Sequence, residues 1–257
     1  MALNWMKVDK VSFNSLLLLE RVQLTWLPGW VDEENLATAL RANPAVEWFM
    51  RHKCPEISSW LDKVLSLPTE APVREAELAV LSQLEDLLVY ALDPDIYDAQ
   101  PFLNWDNREL TELVDFAGKT VIDVGAGTGR LTLVALEHGA TVYAVEPVAN
   151  LRAFLLQKTR RQTLDKRLFV VDGLITRIPF ADKFADVVMG GHVFGDAPDE
   201  EYAELLRVVR PGGMIVLCPG NNDKDNAAHK FLVETGFQWS RFEQPRDGIK
   251  RKYWKIV

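Results

Sequence analysis

Cysteine is scarce in this 257-residue sequence. Cys54 and Cys218 stand far apart, which excludes a disulfide framework and suits a reducing compartment. His52 and Cys54 lie two apart near Glu56, but no further donors follow at zinc-ligand spacing, so no metal site is expected. An excess of basic charge is missing as well: the formal net charge is −8. Non-specific nucleic-acid binding needs a broad basic surface, so nucleic acid is a disfavoured partner, although a local patch is not excluded. The apolar run Leu16 to Leu19 is far too short to cross a bilayer. The first residues lack the basic segment, apolar stretch and small-residue site of a signal peptide. A cytoplasmic protein without membrane contact is expected. Internal repeats and low-complexity tracts are absent too.

What is present is an ordinary globular composition, 48% hydrophobic and 26% charged, long enough for one large or two modest domains. Residues 1 to about 104 read as helical, with no convincing strand. Asn43 before Pro44 predicts an N-cap and a helix through Val46, Trp48, Phe49 and Met50. Pro55 opens another, with Ile57, Trp60, Leu61, Val64 and Leu65 on one side. From Val73 to Ala91, apolar residues recur at three- and four-residue steps, which predicts one amphipathic helix stopped by Asp93-Pro94. Asp93 to Trp105 reads as an ordered connector. Trp5, Trp26, Trp30, Trp48, Trp60 and Trp105 all lie in this first part. Core and interface packing is the expectation for them; lining a substrate pocket is the alternative.

From Asn107 the pattern changes. A short helix, 109–116, leads into alternating strands and helices: strand 120–124, helix 129–138, strand 141–146, helix 148–163, strand 168–172, strand 186–190, helix 199–209, strand 213–218. Such alternation predicts a parallel sheet with helices on both faces. The end differs: residues 237–242 and 252–257 alternate apolar and polar around Arg246-Asp247-Gly248, a hairpin signal. The sheet is expected to close with an antiparallel pair.

Asp123, Gly125, Gly127 and Gly129 form D-x-G-x-G-x-G between a predicted strand and a predicted helix. Glycine at such a turn lets a ligand approach the backbone at a helix N-terminus. In the dinucleotide pattern G-x-G-x-x-G the third glycine falls on Arg130, so that pattern is incomplete. Glu146 ends the second strand, where a carboxylate can accept from both hydroxyls of a ribose. Asp172-Gly173 ends the third, and Pro211-Gly212-Gly213 turns into the fifth.

These residues carry a specific resemblance. The glycine motif 121–129, Val145-Glu146-Pro147, Val171-Asp172-Gly173, Ile178-Pro179-Phe180 with residues 184–188, and Arg210-Pro211-Gly212-Gly213 occur in an order similar to that of class I S-adenosylmethionine-dependent methyltransferases, of the small-molecule kind. The resemblance spans residues 120–218 and leaves residues 1–104 uncovered. It implies an α/β fold: a Rossmann-like seven-stranded sheet, mostly parallel with an antiparallel closing hairpin, preceded by a helical extension. The implied domains are 1–104, a helical cap on the substrate side, and 105–257, the cofactor-binding domain.

The implied cofactor is S-adenosyl-L-methionine, leaving as S-adenosyl-L-homocysteine. Gly125 and Gly127 would meet its methionine part, and Asp123 would orient the loop and the amino group. Glu146 would hold the ribose, Asp172 the adenine amine, and Gly173 would offer a backbone N–H. Ala126, Gly129, Pro147, Leu174, Gly190 and Gly191 complete the implied cofactor contacts. His192, after strand four, is the candidate base or acceptor contact. Asp196 is the second candidate, with capping of the following helix as its alternative. The Asn/Asp-Pro-Pro-aromatic box of amide and amino-nitrogen methylating enzymes is missing from 190–196, which speaks against those acceptors.

The expected function is methyl transfer to a small-molecule acceptor. A non-catalytic cofactor-binding or interaction protein, an enzyme with a protein or nucleic-acid acceptor, and, remotely, a nicotinamide-dependent oxidoreductase are the alternatives. A homodimer through the helical region is left open. Lys250, Arg251, Lys252 and Lys255, with Arg241 and Arg246, read as a solvated hairpin face, or else as an anionic-ligand contact. Cys218 is expected in the core.

Overall fold

The computed structural model describes residues 6–68 and 71–257. Trp5 lies outside the described residues. The chain forms two compact units, Met1–Tyr97 and Asp98–Val257.

The first unit is built from α1 (Arg21–Thr25), α2 (Glu33–Ala42), α3 (Pro44–Lys53), α4 (Ser58–Ser66), α5 (Val73–Gln83) and α6 (Glu85–Leu92). Leu36 and Leu40 of α2, Met50 of α3, Leu61 and Val64 of α4, and Val80, Leu87 and Leu88 of α5 and α6 share one core. The three- and four-residue apolar step therefore does place one stripe inside. Two expectations are corrected. The single helix over 73–91 is two, turning at Leu84, whose ψ of 9° leaves the helical range. The flanking side chains have tertiary partners there: Gln83 accepts the Asp32 N–H at 2.9 Å, and the buried Glu85 accepts that of Met6. Asn43 precedes α3 but does not cap it. Its amide donates instead to Ala39 O and Glu77, at 2.9 and 2.8 Å. Among the tryptophans, Trp26, Trp30 and Trp48 are exposed rather than packed inside. Trp60 is half-buried, its indole N–H donating to Glu33 at 2.6 Å.

A short helix, α7 (Pro94–Asp98), forms where a connector was expected. Residues 98–104 go with the second unit, not the first, so the division falls before 104/105. Lys158 pairs with Asp98 at 2.6 Å, Arg130 donates to the carbonyls of Leu103 and Trp105, and Gln244 donates to Phe102 O at 2.8 Å. Arg130, the residue at the missing third glycine, also lies over the buried Trp105 ring, 4.0 Å from its centroid.

The second unit then runs α8 (Arg108–Thr111), β1 (Thr120–Val124), α9 (Arg130–Glu137), β2 (Thr141–Val145), α10 (Ala149–Arg161), β3 (Leu168–Val171), β4 (Ala185–Gly190), α11 (Pro198–Val208), β5 (Val209–Asn222), α12 (Ala227–Glu234), β6 (Gln238–Gln244) and β7 (Gly248–Ile256). The short helix ends five residues earlier than its expected stretch would reach, and β5 is longer at both ends. The seven strands form one sheet in the order β3-β2-β1-β4-β5-β7-β6. β3 to β5 are parallel, and β7 is antiparallel to both β5 and β6. Period-two alternation puts Val121, Val142 and Val187 on one face with α9, and Ile122, Val188 and Ile215 on the other with α11. The strand order reverses between β1 and β4, and at such a reversal a crevice opens at the carboxyl ends. In register, Val124 lies beside Val145 and Gly190, so the residues after all three strands emerge together.

Of the basic residues expected on a solvated face, Arg241 and Arg246 are exposed, but those early in β7 are not. Lys250, Arg251 and Lys252 are 3–5% exposed. Lys250 pairs with Asp247, Arg251 with Asp223 and Asp225, and Lys252 with Glu109, at 2.7–2.9 Å. Lys255 donates to Thr235 O at 2.7 Å and to the Tyr202 hydroxyl. Cys218 is buried as expected, and burial pushes its thiol up to about 12.

Candidate cofactor site at the carboxyl ends of β1, β2 and β4

The glycine turn leaves β1 and is tied at once to β2: the N–H groups of Gly125 and Ala126 both donate to Val145 O, at 2.8 and 3.2 Å. Gly125 and Gly127 take φ of 65° and 54°, the left-handed region that costs other residues roughly 1–2 kcal/mol. A Cβ on Gly127 would meet nothing nearer than Gly125 O at 3.9 Å, so its Cα faces open space. A Cβ on Gly125 would collide with Val193 Cγ1 at 2.2 Å. The same valine's Cγ2 lies 2.6 Å from where a Cβ of Gly190 would sit. Val193 therefore packs into the space left by two absent side chains. Gly129 follows as the left-handed residue before α9.

Two buried acids flank this turn, Asp123 in β1 and Glu146 just after β2. Glu146 is 4% exposed; its Oε2 accepts the Gly127 N–H at 2.9 Å and its Oε1 the Val148 N–H at 2.8 Å. Burial raises its pKa, and the two N–H groups hold it back. Asp123 is 1% exposed, with Oδ2 accepting from the Thr132 hydroxyl of α9. Its Oδ1 is buried without a hydrogen-bond partner among the described residues. Burial pushes Asp123 up to about 7. An orphaned buried carboxylate oxygen, a second buried acid and a bare glycine Cα fit a ligand that carries an ammonium and a diol.

Asp172 behaves differently: it is exposed and pairs with Arg152 at 3.3 Å. Arg152 also donates to the carbonyls of Glu146 and Pro147, at 2.7 and 2.8 Å, and so fixes the chain after β2. Gly173 packs against Val145 and Pro179, where a Cβ would come within 2.8 Å of each. Leu174 is exposed and closes a short bridge with Arg177.

After β4, a Cβ on Gly191 would lie 3.3 Å from Cys218 O and Leu131. His192 is left-handed at φ 57°, and its N–H donates to Pro219 O at 2.8 Å. Its ring keeps contact with solvent, while the protein packed around it lowers its pKa and the Lys250 charge adds to that. Asp196 does not cap α11. Glu201 does so instead, accepting the N–H groups of Gly195, Asp196 and Ala197 at 2.7, 3.2 and 2.9 Å. Three side chains of this site were not read from the sequence: Val193, Thr132 and Arg152. Thr132 had a signal, being one helical turn inside the helix that follows the glycines.

The suspected metal donors are engaged locally. His52 stacks on Trp48, with centroids 4.1 Å apart, and its Nδ1 lies 2.7 Å from Trp48 O. Cys54 Sγ lies 3.5 Å from Glu56 Oε2.

Comparison with known proteins bears on the family and the fold. A methyltransferase-domain family profile matches residues 122–217. Uncharacterized methyltransferases of Geobacillus thermodenitrificans and Geobacillus kaustophilus are each 30% identical over 168 residues, covering 63% of this chain and 74% of the relative. A SAM-dependent methyltransferase of known structure from Aquifex aeolicus superimposes with a TM-score of 0.51 at 21% identity, over 65% of this chain and 100% of that one. This likeness shows the shared fold. With the sheet order, the glycine turn and the relatives together, the chain belongs to the class I S-adenosylmethionine-dependent methyltransferases.

Proposed function

We propose that the protein transfers a methyl group from S-adenosylmethionine to a small-molecule acceptor held beside the loop after β4. The observation that carries this reading is the orphaned, buried Oδ1 of Asp123, two residues before a turn whose Gly127 N–H is held by the buried Glu146. Asp123 takes the cofactor's ammonium, Glu146 its ribose hydroxyls and Asp172 the adenine amine. Gly125, Ala126, Gly127 and Gly129 give the backbone, and Pro147, Gly173, Leu174, Gly190 and Gly191 frame the remainder. When bound, the cofactor supplies an electrophilic methyl on a sulfonium, so positioning accounts for much of the acceleration.

His192 is the base for an acceptor that keeps its proton; its lowered pKa leaves the ring neutral at pH 7, ready to accept. Asp196 is less suited, because the loop's backbone is organised by Glu201. The helical unit is proposed to supply acceptor contacts, on the support of its exposed Trp26, Trp30 and Trp48. A nucleic-acid acceptor is disfavoured by the pairing of the C-terminal basic residues.

Titration calorimetry with S-adenosylmethionine and S-adenosylhomocysteine tests the cofactor assignment; binding of NAD(H) and of neither sulfur compound would overturn it. Release of S-adenosylhomocysteine across a small-molecule acceptor panel tests turnover. Cofactor binding with no turnover on any acceptor class would favour a non-catalytic binding protein instead.

A further inference from the structure

Helix α10 reaches the glycine turn with two side chains that the cofactor assignment does not use. Leu155 and Lys158 stand three residues apart, which puts them on one face of the helix. Leu155 is fully buried, and its Cδ1 lies 2.3 Å from where a Cβ of Gly129 would sit. The space at the bare Cα of Gly129 is therefore filled by α10. Lys158 Nζ donates to Thr128 O at 3.3 Å and to Asp98 Oδ1 at 2.6 Å. Thr128 is 2% exposed, so little water competes for that carbonyl. The Thr128 carbonyl and the Gly129 N–H belong to one planar peptide group. That N–H donates to Ala126 O at 2.8 Å, closing the turn over Gly127, whose own N–H is held by Glu146.

We propose that Lys158 is a positioning residue for the cofactor turn. Its ammonium, oriented by Asp98, polarises the Thr128 carbonyl and so strengthens the Gly129 N–H as a donor to Ala126 O. Gly127 is thereby held where the cofactor meets it. A charged donor forms a stronger bond than a neutral one, and hydrogen bonds in a chain reinforce one another. The two residues of α10 divide the task. Leu155 seats Gly129 by shape, while Lys158 sets the direction of the peptide by charge. Asp98 removes rotamer freedom from a long, flexible stem, so the ammonium arrives already placed. Lys158 itself is assigned no contact with the cofactor and acts through the 128–129 peptide. The inference rests on the turn being the cofactor site.

The test pairs amide nitrogen-15 spectra of the ligand-free full chain with calorimetry of S-adenosylhomocysteine binding. Lys158→Met keeps the stem and removes the charge. It should shift the Gly129 amide signal, speed its hydrogen exchange and weaken binding roughly three- to tenfold. Lys158→Arg, which keeps a cation, should recover most of both effects. Asp98→Asn should give a smaller change in the same direction. Arg160→Met removes an exposed cation two residues further along α10 and should change neither readout. An unchanged Gly129 signal in Lys158→Met, or wild-type affinity in that variant, overturns the proposal. An arginine variant no better than the methionine one overturns the role of the charge. If Lys158→Met does not fold, an unchanged Gly129 signal in Asp98→Asn overturns it equally. Failure of the cofactor reading is a separate result: the wild type would bind no S-adenosylhomocysteine, while the Gly129 signal still answered to Lys158.

Discussion

The carboxylate of Glu146 accepts the backbone N–H of Gly127 at 2.9 Å, across the turn between two neighbouring strands. One side chain thus shapes the glycine turn, and on the proposed reading its remaining lone pairs hold the ribose. Glu146→Ala should weaken S-adenosylmethionine binding by about 1–3 kcal/mol, since it leaves polar groups on both sides unpaired. Glu146→Gln should fall between, keeping an acceptor oxygen but no charge. Calorimetry on both variants checks the order; equal affinity for all three proteins would remove Glu146 from the site.

Asp123 gives a pH dependence whose sign can be worked out. Its folded pKa of about 7 lies above the ordinary 3.8, so the folded ligand-free protein holds this proton more tightly than the unfolded chain. Its contribution to stability is present below 3.8 and is lost as pH rises through about 7. A bound ammonium reverses the preference, because it favours the ionised acid. Cofactor affinity should therefore rise from pH 6 to roughly 7.5, below the range where an α-amino group itself deprotonates. A proton should be released on binding near pH 6, visible as a buffer-dependent binding enthalpy. Asp123→Asn should lose both effects.

Gly125 and Val193 are predicted to be coupled. Gly125→Ala places a methyl 2.2 Å from Val193 Cγ1 in addition to its backbone strain. Val193→Ala in the same chain should restore the steric part of the lost stability but not the roughly 1–2 kcal/mol of left-handed strain. Gly127→Ala should cost only that strain, since its Cα faces open space, and yet should abolish cofactor binding. Urea unfolding beside calorimetry separates the cases; additive effects at Gly125 and Val193 would contradict the packing.

Lys252→Met should destabilise the second unit by about 1–3 kcal/mol, because the buried ammonium holds both the carbonyl and the carboxylate of Glu109. Denaturant unfolding reads the loss. The same pairing predicts little RNA retention at roughly physiological salt, where unpaired phosphate-binding cations are what sustain affinity. Tight, salt-dependent RNA binding would show that the hairpin opens its ion pairs.

The sheet was legible because its signals are local: β1 alternates Val121 and Ile122 between two cores, and Gly125 to Gly129 break the strand where no other residue type takes that backbone so readily. The antiparallel closure was announced by Asp247-Gly248. The buried part of the basic hairpin was misread because the partners of Arg251, Asp223 and Asp225, lie just past the end of β5, and sequence spacing does not reveal such pairing. The break at Leu84 was hidden for a similar reason: the apolar stripe continues through it, while the residues that hold the bend, Asp32 and Met6, are distant in sequence. Val193 gave no sign at all, being a valine in a loop whose packing depends on two glycines elsewhere.

The two methyl groups of Val193 rest on both the cofactor turn and the start of the loop that carries His192. Any ligand that reshapes one loop must alter the fit of the other. On the proposed reading, linkage makes the effect mutual: cofactor and acceptor would change each other's dissociation constants by the same factor. The order in which the two are taken up, and the grip on the spent cofactor after transfer, would then depend in part on one aliphatic contact.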